Sequence, residues 1–124
     1  MAGLPPTARL RRAADFAALR QGTGRWQGRH YALRWRTTPD PPARLGLAVS
    51  RKVSKRAVQR NRIKRNIRES FRATRDDLPG VDVLVIARVS AAGADNPALR
   101  ADLARAWLAL KALKQTPAPG TIGG

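Results

Sequence analysis

Cysteine is absent from this chain of 124 residues, and histidine occurs once, as His30. The chain therefore forms no disulfides and no thiolate metal sites, which is typical of a reducing compartment. Aromatic residues make up only 5% of the sequence, whereas hydrophobic residues make up 43%, so aliphatic side chains must supply most of the core. We expect one domain, because half of this length would bury too small a core.

Acidic residues and long apolar runs are also scarce. Asp and Glu number 8 against 25 Lys and Arg, which gives a net charge of +17. Such an excess favours an anionic partner. No run approaches the roughly 20 apolar residues that span a bilayer, and the N-terminal residues lack a signal-peptide core. We therefore expect a cytoplasmic protein that binds no membrane.

The carboxylates are scattered, and no catalytic triad, metal cluster or separated acid pair can be drawn from them. Asp76 and Asp77 are adjacent, but they follow a predicted helix, where such pairs more often form a turn. His30 falls in a predicted strand, where a surface or partner-contact role is more common than catalysis. We predict no catalytic residues and no metal ligands.

Hydrophobic periodicity predicts a chain of mixed helices and strands. Tyr31, Leu33 and Trp35 alternate with His30, Ala32, Arg34 and Arg36, which is the period of a strand. A last helix is expected to open at Asn96 and Pro97 with Asn96 as its cap, and its apolar stripe comprises Leu99, Leu103, Trp107 and Leu110. The other predicted elements are a flexible arm over 1–7, a short helix over 13–21, strands over 29–37, 45–50 and 81–89, a long helix over 54–74, and a disordered tail over 115–124.

Residues 51–72 carry the strongest signal in the sequence, with ten Lys or Arg and a single acid, Glu69. On a helix, Ala57, Ile63, Ile67 and Phe71 would form one apolar stripe. A second, cationic face would carry Asn61, Arg65, Arg68 and Arg72, with Arg62 beside them.

The start of this helix adds to the signal. Lys55 and Arg56 lie at its N-terminus, where the helix dipole disfavours cations and unpaired N–H groups attract phosphate. Ordinary charged surfaces mix both signs and pair opposite charges, whereas this stretch has only one acid for its ten cations. We therefore predict that it contacts nucleic acid.

The same stretch resembles the signature of the bacterial ribonuclease P protein subunit. The match begins with Arg60-Asn61-Arg62-Ile63-Lys64-Arg65. It continues through Arg68-Glu69 and Phe71-Arg72, and it is preceded by Gly46-Leu47 and Ser50-Arg51-Lys52. Further matches are Arg9-Leu10, Asp15-Phe16, Gly22 and the strand from Asp82 to Arg88. The resemblance covers roughly residues 8–114, which we take as the RNA-binding domain.

The resemblance implies a single α+β domain, an α/β sandwich of order αβββαβα, with a mixed central sheet and a left-handed crossover around the basic helix. It implies a protein cofactor that binds the catalytic RNA and the 5′ leader of precursor tRNA, in a heterodimer of one RNA and one protein. Phosphodiester hydrolysis would be carried out by the RNA with Mg²⁺ held mainly by that RNA. A structural RNA-binding protein of ribosomal type is the alternative. A protein-only nuclease with Asp76, Asp77 or His30 in its site is the least favoured alternative.

Two groups of site residues follow from the resemblance together with the helical face. The expected RNA-binding residues are Arg51, Lys52, Lys55, Arg56, Arg60, Asn61, Arg62, Lys64, Arg65, Arg68 and Arg72. The expected leader-binding cleft contains Phe16, Tyr31 and Trp35, whose rings would stack on unpaired bases. Ordinary core packing is an equally weighted interpretation for Phe16 and Tyr31.

Overall fold

The computed structural model describes residues 24–39 and 42–115, with the side chains of 114 and 115 excepted. The predicted arm, the predicted first helix with Phe16, and the tail beyond Gln115 lie outside these residues. The elements in chain order are strands β1 (Gly24–Gln27), β2 (Tyr31–Thr37) and β3 (Arg44–Ala48), helix α1 (Ala57–Thr74), strand β4 (Val81–Ala87) and helix α2 (Asn96–Gln115). Short 3-10 turns, Arg75–Asp77 and Val89–Gly93, follow α1 and β4.

The four strands form one mixed sheet in the order β1-β2-β4-β3. Strand β4 is antiparallel to β2 and parallel to β3. Helix α1 therefore forms the connection of a βαβ unit between two adjacent parallel strands. The predicted α+β class and mixed sheet are confirmed, whereas the left-handed sense of the crossover stays a prediction.

Strand β4 lies inside the sheet with a strand on each side, as its almost continuously apolar sequence predicts. Six of its seven residues are buried, because strands flank both of its edges, the helices pack on one of its faces, and arginine side chains contact Asp82 on the other. Val83 and Val85 lie opposite Trp35 and Leu33 of β2. The residues of this face and those of the two helices form one hydrophobic core.

The apolar stripe of α1 is confirmed in part. Ile63, Ile67 and Phe71 are fully buried, as predicted. Ala57 is exposed instead, and Asn66 is buried at 8% exposure. The buried face is rotated toward Asn66 because α2 packs on that side of α1, a contact that the sequence pattern of α1 alone does not specify.

Helix α2 contributes the predicted stripe, since Leu99, Leu103 and Leu110 are fully buried and Trp107 is 3% exposed. The Trp107 ring meets the Phe71 ring edge-on, with the ring centroids 5.7 Å apart. No helix within residues 24–39 and 42–115 is long and apolar enough to cross a membrane.

The predicted cap of α2 is wrong. The Oδ1 atom of Asp95 accepts a hydrogen bond from the N–H of Ala98 at 2.9 Å, so Asp95 is the N-cap. Asn96 is the first helical residue, and its side chain faces α1. The cap lies one residue earlier than expected because both Asp95 and Asn96 are good capping residues, and only packing decides between them.

Strand β1 was not located by the sequence pattern. Gly24 lies opposite Trp35 of β2. A Cβ at Gly24 would lie 2.1 Å from the Trp35 ring, so only glycine lets the two strands and this ring pack together.

A buried carboxylate joins α2 to the turn between β1 and β2. Asp102 is fully buried, and its oxygens accept hydrogen bonds from the N–H groups of Arg29, His30 and Tyr31 at 3.3, 2.9 and 3.1 Å. The guanidinium of Arg105 completes the set at 2.9 Å. Burial raises the pKa of Asp102, but these hydrogen bonds outweigh it and hold the pKa below its usual value.

Candidate nucleic-acid interface

The solvent-facing side of α1 carries the predicted cationic face. Asn61, Arg65, Arg68 and Arg72 are all exposed, and they recur at the spacing that places side chains on one side of a helix. The opposite side of the same helix is in the core. We name these four residues the α1 face.

The first turn of α1 is built without the usual compensation for its dipole. Arg56 occupies the N-cap position with no side-chain hydrogen bond, and the turn has no acidic residue. The N–H groups of Gln59 and Arg60 both reach the carbonyl of Arg56, and no described residue accepts a bond from Ala57 or Val58. This end of the helix therefore presents positive charge and open backbone donors to solvent.

The loop before α1 extends this basic surface. Arg51, Lys52 and Lys55 are exposed, and they line an open depression of about 420 Å³. The sequence-predicted loop residues and the α1 face are therefore adjacent along the chain and all accessible to an anionic partner.

Arg60 and Arg62, in contrast, are hydrogen-bonded within the protein. A guanidinium nitrogen of Arg60 donates to the carbonyl of Ser54 at 2.9 Å. The guanidinium of Arg62 donates to Asn96 Oδ1 at 2.9 Å and to the Ala92 carbonyl at 3.4 Å. Both side chains, and that of Lys64, are partly buried. The structure thus separates the predicted RNA-binding residues into exposed ones and ones that flank the core.

The sheet surface opposite the core carries a second group of arginines. The pairing register places Arg25 of β1 opposite Arg34 of β2, and it places both Arg36 and Arg44 opposite Asp82. We name Arg25, Arg34, Arg36 and Arg44 the sheet arginines. Alternation along β2 predicts that Arg34 and Arg36 share a face, but neither was among the predicted RNA-binding residues.

Asp82 orients two of the sheet arginines. Arg44 forms a two-point contact with its carboxylate at 2.8 and 2.7 Å, and Arg36 donates to it at 3.0 Å. The Asp82 side chain is 1% exposed, whereas the side chains of Arg36 and Arg44 are each 37% exposed. Burial raises the pKa of Asp82, but the two arginines outweigh it and hold the pKa below its usual value.

Tyr31 and Trp35 lie in the core, not in a cleft. Tyr31 is fully buried and Trp35 is 9% exposed, and both side chains belong to the sheet face that packs against the helices. Neither ring is accessible to a base. Tyr31 therefore follows the core-packing interpretation, and the assignment of Trp35 to the leader-binding cleft is corrected for the same reason. Alternation along β2 predicts that Tyr31 and Trp35 share one face of the strand. It does not show that this is the face that the helices cover.

The residues of the nuclease alternative do not come together. Asp76 and Asp77 are exposed in the turn after α1. His30 is 8% exposed, and its Nδ1 atom lies 2.9 Å from the Ser90 hydroxyl. Within the described part of the chain, no three His, Cys, Asp or Glu side chains are placed to share a metal ion.

Sequence comparison gives a consistent family for the chain. The ribonuclease P family model matches residues 4–111. The ribonuclease P protein component of Xanthomonas oryzae pv. oryzae is 42% identical over 118 residues, which cover 95% of this chain and 81% of that protein. The ribonuclease P protein component of Pseudomonas aeruginosa is 40% identical, and the match covers 94% of this chain and 90% of that protein.

Solved structures agree with this result. The ribonuclease P protein of Staphylococcus aureus superposes with a TM-score of 0.75 at 30% identity, over 82% of this chain and 93% of that one. The ribonuclease P protein of Thermotoga maritima gives a TM-score of 0.71 at 30% identity, over 80% of this chain and 94% of that one. The chain therefore belongs to the ribonuclease P protein family.

Proposed function

We propose that this protein is the protein cofactor of a ribonuclease P holoenzyme, binding both the catalytic RNA and the 5′ leader of precursor tRNA. Removal of the leader by endonucleolytic cleavage would yield the mature 5′ end of the tRNA. The observation that carries the proposal is the α1 face, an exposed row of cations and one amide on a helix whose other side is buried. Family membership supplies the identity of the RNA.

The α1 face and the loop before it suit a folded RNA. Arginine presents a planar fork that contacts two phosphate oxygens at once, and Asn61 offers both a donor and an acceptor to a sugar or a base edge. The basic loop residues, which are Arg51, Lys52, Lys55 and Arg56, extend the surface past the open N-terminus of α1. We assign contact with the catalytic RNA to this surface.

The sheet arginines suit a single strand. A leader has no fixed partner strand, and a positively charged sheet surface can follow its backbone. The register brings these four arginines onto one surface with Asp82 as the acid between two of them. Since Tyr31 and Trp35 are in the core, we assign leader contact to the sheet arginines. Base stacking by Phe16 stays a prediction.

The phosphodiester hydrolysis is assigned to the RNA. We propose that Mg²⁺ is held mainly by the RNA phosphates, because Mg²⁺ favours phosphate and water oxygens over dedicated protein cages. The protein would contribute by docking on the RNA and holding the leader, with a holoenzyme of one RNA and one protein. These statements rest on the family and on the charge distribution described above.

Reconstitution tests the proposed function directly. The purified protein is mixed with a bacterial ribonuclease P RNA and precursor tRNA at low Mg²⁺, and 5′ processing is measured. We expect the protein to restore cleavage that the RNA alone does not support. RNA binding without any stimulation would contradict the proposal and favour a structural RNA-binding protein of ribosomal type.

A second measurement separates the two binding surfaces. Arg34→Gln should weaken holoenzyme binding of leader-bearing precursor more than binding of mature tRNA, whereas Arg65→Gln should weaken docking on the catalytic RNA. The matched control is Arg100→Gln, which removes the same charge from an exposed position of α2. An equal loss for precursor and mature tRNA in Arg34→Gln would contradict the assignment of the sheet arginines to the leader.

A further inference from the structure

Arg62 differs from the residues of the α1 face in what it touches. One guanidinium nitrogen donates to the side-chain oxygen of Asn96 at 2.9 Å, and another points to the carbonyl of Ala92 at 3.4 Å. Ala92 lies in the turn before α2, and Asn96 is the first residue of that helix. The backbone carbonyl of Arg62 in turn accepts a hydrogen bond from the Asn66 amide at 3.0 Å.

The same side of α1 makes two further polar contacts with α2. Asn66, one turn after Arg62, donates to Asn96 Oδ1 at 3.1 Å. Ser70, another turn on, accepts a hydrogen bond from the Trp107 indole at 2.6 Å. Residues four apart lie on one side of a helix, so Arg62, Asn66 and Ser70 form a polar row along which α1 docks on α2.

This row is separate from the α1 face. At about 100° per residue, Arg62 lies roughly a quarter of a turn around the helix from Asn61. Arg62 is partly buried, whereas Asn61 and Arg65 are exposed. Its charge therefore points toward the junction of the two helices and not toward the surface that α1 presents to RNA.

We propose that Arg62 is a positioning residue, which fixes the angle of α1 against α2 and so orients the α1 face, and that it does not contact an RNA phosphate. The planar guanidinium can reach two acceptors in fixed directions, which the single ammonium of lysine cannot do in the same geometry. Asn96 is the shared acceptor for Arg62 and Asn66, so removing any member leaves polar groups unmatched in a half-buried site.

A double-mutant cycle on the RNA-free protein tests the positioning role. Arg62→Gln and Asn96→Ala should each lower the thermal midpoint by about 4 to 8 °C, the range that corresponds to one lost hydrogen-bonding partner in a small domain. The double variant should lose less than the sum of the two, because both changes break one network. Arg62→Lys should resemble Arg62→Gln, and Arg65→Gln should leave the midpoint unchanged. Additive losses, or an unchanged midpoint in Arg62→Gln, would overturn the proposal.

The salt dependence of RNA binding tests the second half of the proposal, and this arm alone rests on the proposed function. With a bacterial ribonuclease P RNA as probe, Arg65→Gln should reduce the slope of log affinity against log salt by about 0.9, the value for one lost duplex phosphate contact. Arg62→Gln should keep the wild-type slope, with any loss of affinity equal at all salt concentrations. A slope reduced as in Arg65→Gln would show that Arg62 is a phosphate contact. A wild-type protein that does not bind the RNA would refute the proposed function, and the thermal cycle would still decide the role of Arg62.

Discussion

The Oδ2 atom of Asp102 accepts a hydrogen bond from the backbone N–H of His30 at 2.9 Å, across 72 residues of chain. The same oxygen accepts a second bond from the N–H of Tyr31. Helix α2 is thus hydrogen-bonded to the turn between β1 and β2 and to the first residue of β2. Because Gly28 lies beside Asp102 and a Cβ there would come 2.8 Å from Oδ2, the carboxylate and the turn fit closely.

Removing the charge at this position should destabilise the whole fold. Asp102→Asn places an amide donor among three backbone donors and loses the ion pair with Arg105. We expect the free energy of unfolding to fall by about 1.5 to 3 kcal/mol, the usual value of a hydrogen bond to a charged group, or more. Urea unfolding measures the change. Asp76→Asn is the matched control at an exposed carboxylate, and a loss as large in the control would contradict the role of Asp102.

The two buried carboxylates should make the protein sensitive to acid. The folded-state pKa values of Asp82 and Asp102 lie below their usual values, so the unfolded chain binds protons more readily as the pH falls. The stability from these groups is complete above the unfolded pKa of about 3.9 and is lost as the pH falls through the lower folded values.

The measurement is urea unfolding between pH 7 and pH 2. We expect the free energy of unfolding to decrease below about pH 4. Asp82→Asn should be less stable than the wild type at pH 7 because Arg36 and Arg44 lose their shared partner, and its acid-induced decrease should be shallower. A decrease as steep as that of the wild type would show that Asp82 does not contribute.

Tyr31→Phe distinguishes core packing from leader binding. The hydroxyl of Tyr31 is buried without a hydrogen-bond partner among the described residues, and burial is also the main reason why the pKa of this phenol is raised. Removing an unsatisfied buried hydroxyl should raise the free energy of unfolding by about 1 kcal/mol. Thermal unfolding measures this gain. Affinity for leader-bearing precursor should be unchanged, and a selective loss of that affinity would restore Tyr31 to the leader site.

The α1 face should account for much of the salt dependence of RNA binding. Arg65→Gln and Arg68→Gln combined should reduce the slope of log affinity against log salt by about 1.8 if both contact duplex phosphates. Arg100→Gln should leave the slope unchanged, because Arg100 is exposed on α2 and outside both basic surfaces. Filter binding across a salt series gives the three slopes. Equal slopes for the wild type and the double variant would contradict RNA contact by this face.

Much of the candidate interface could be predicted from the sequence because it depends on local periodicity. Residues 61, 65, 68 and 72 share a side of any helix, and the cationic excess there predicts an anionic partner before the fold is known. The roles of Arg62 and Asp82 could not be predicted. Their partners, Asn96 for one and Arg36 and Arg44 for the other, lie 34, 46 and 38 residues away in the sequence.

The sequence by itself determined the central strand, the two helices with most of their apolar stripes, the cationic face and the family. These features follow from side-chain spacing within single elements. Tertiary structure alone decided that Tyr31 and Trp35 face the helices, that Asp95 and not Asn96 caps α2, and that Arg62 faces α2. Each of those outcomes depends on which surface a second element covers, and the pattern within one element cannot specify the position of its neighbour.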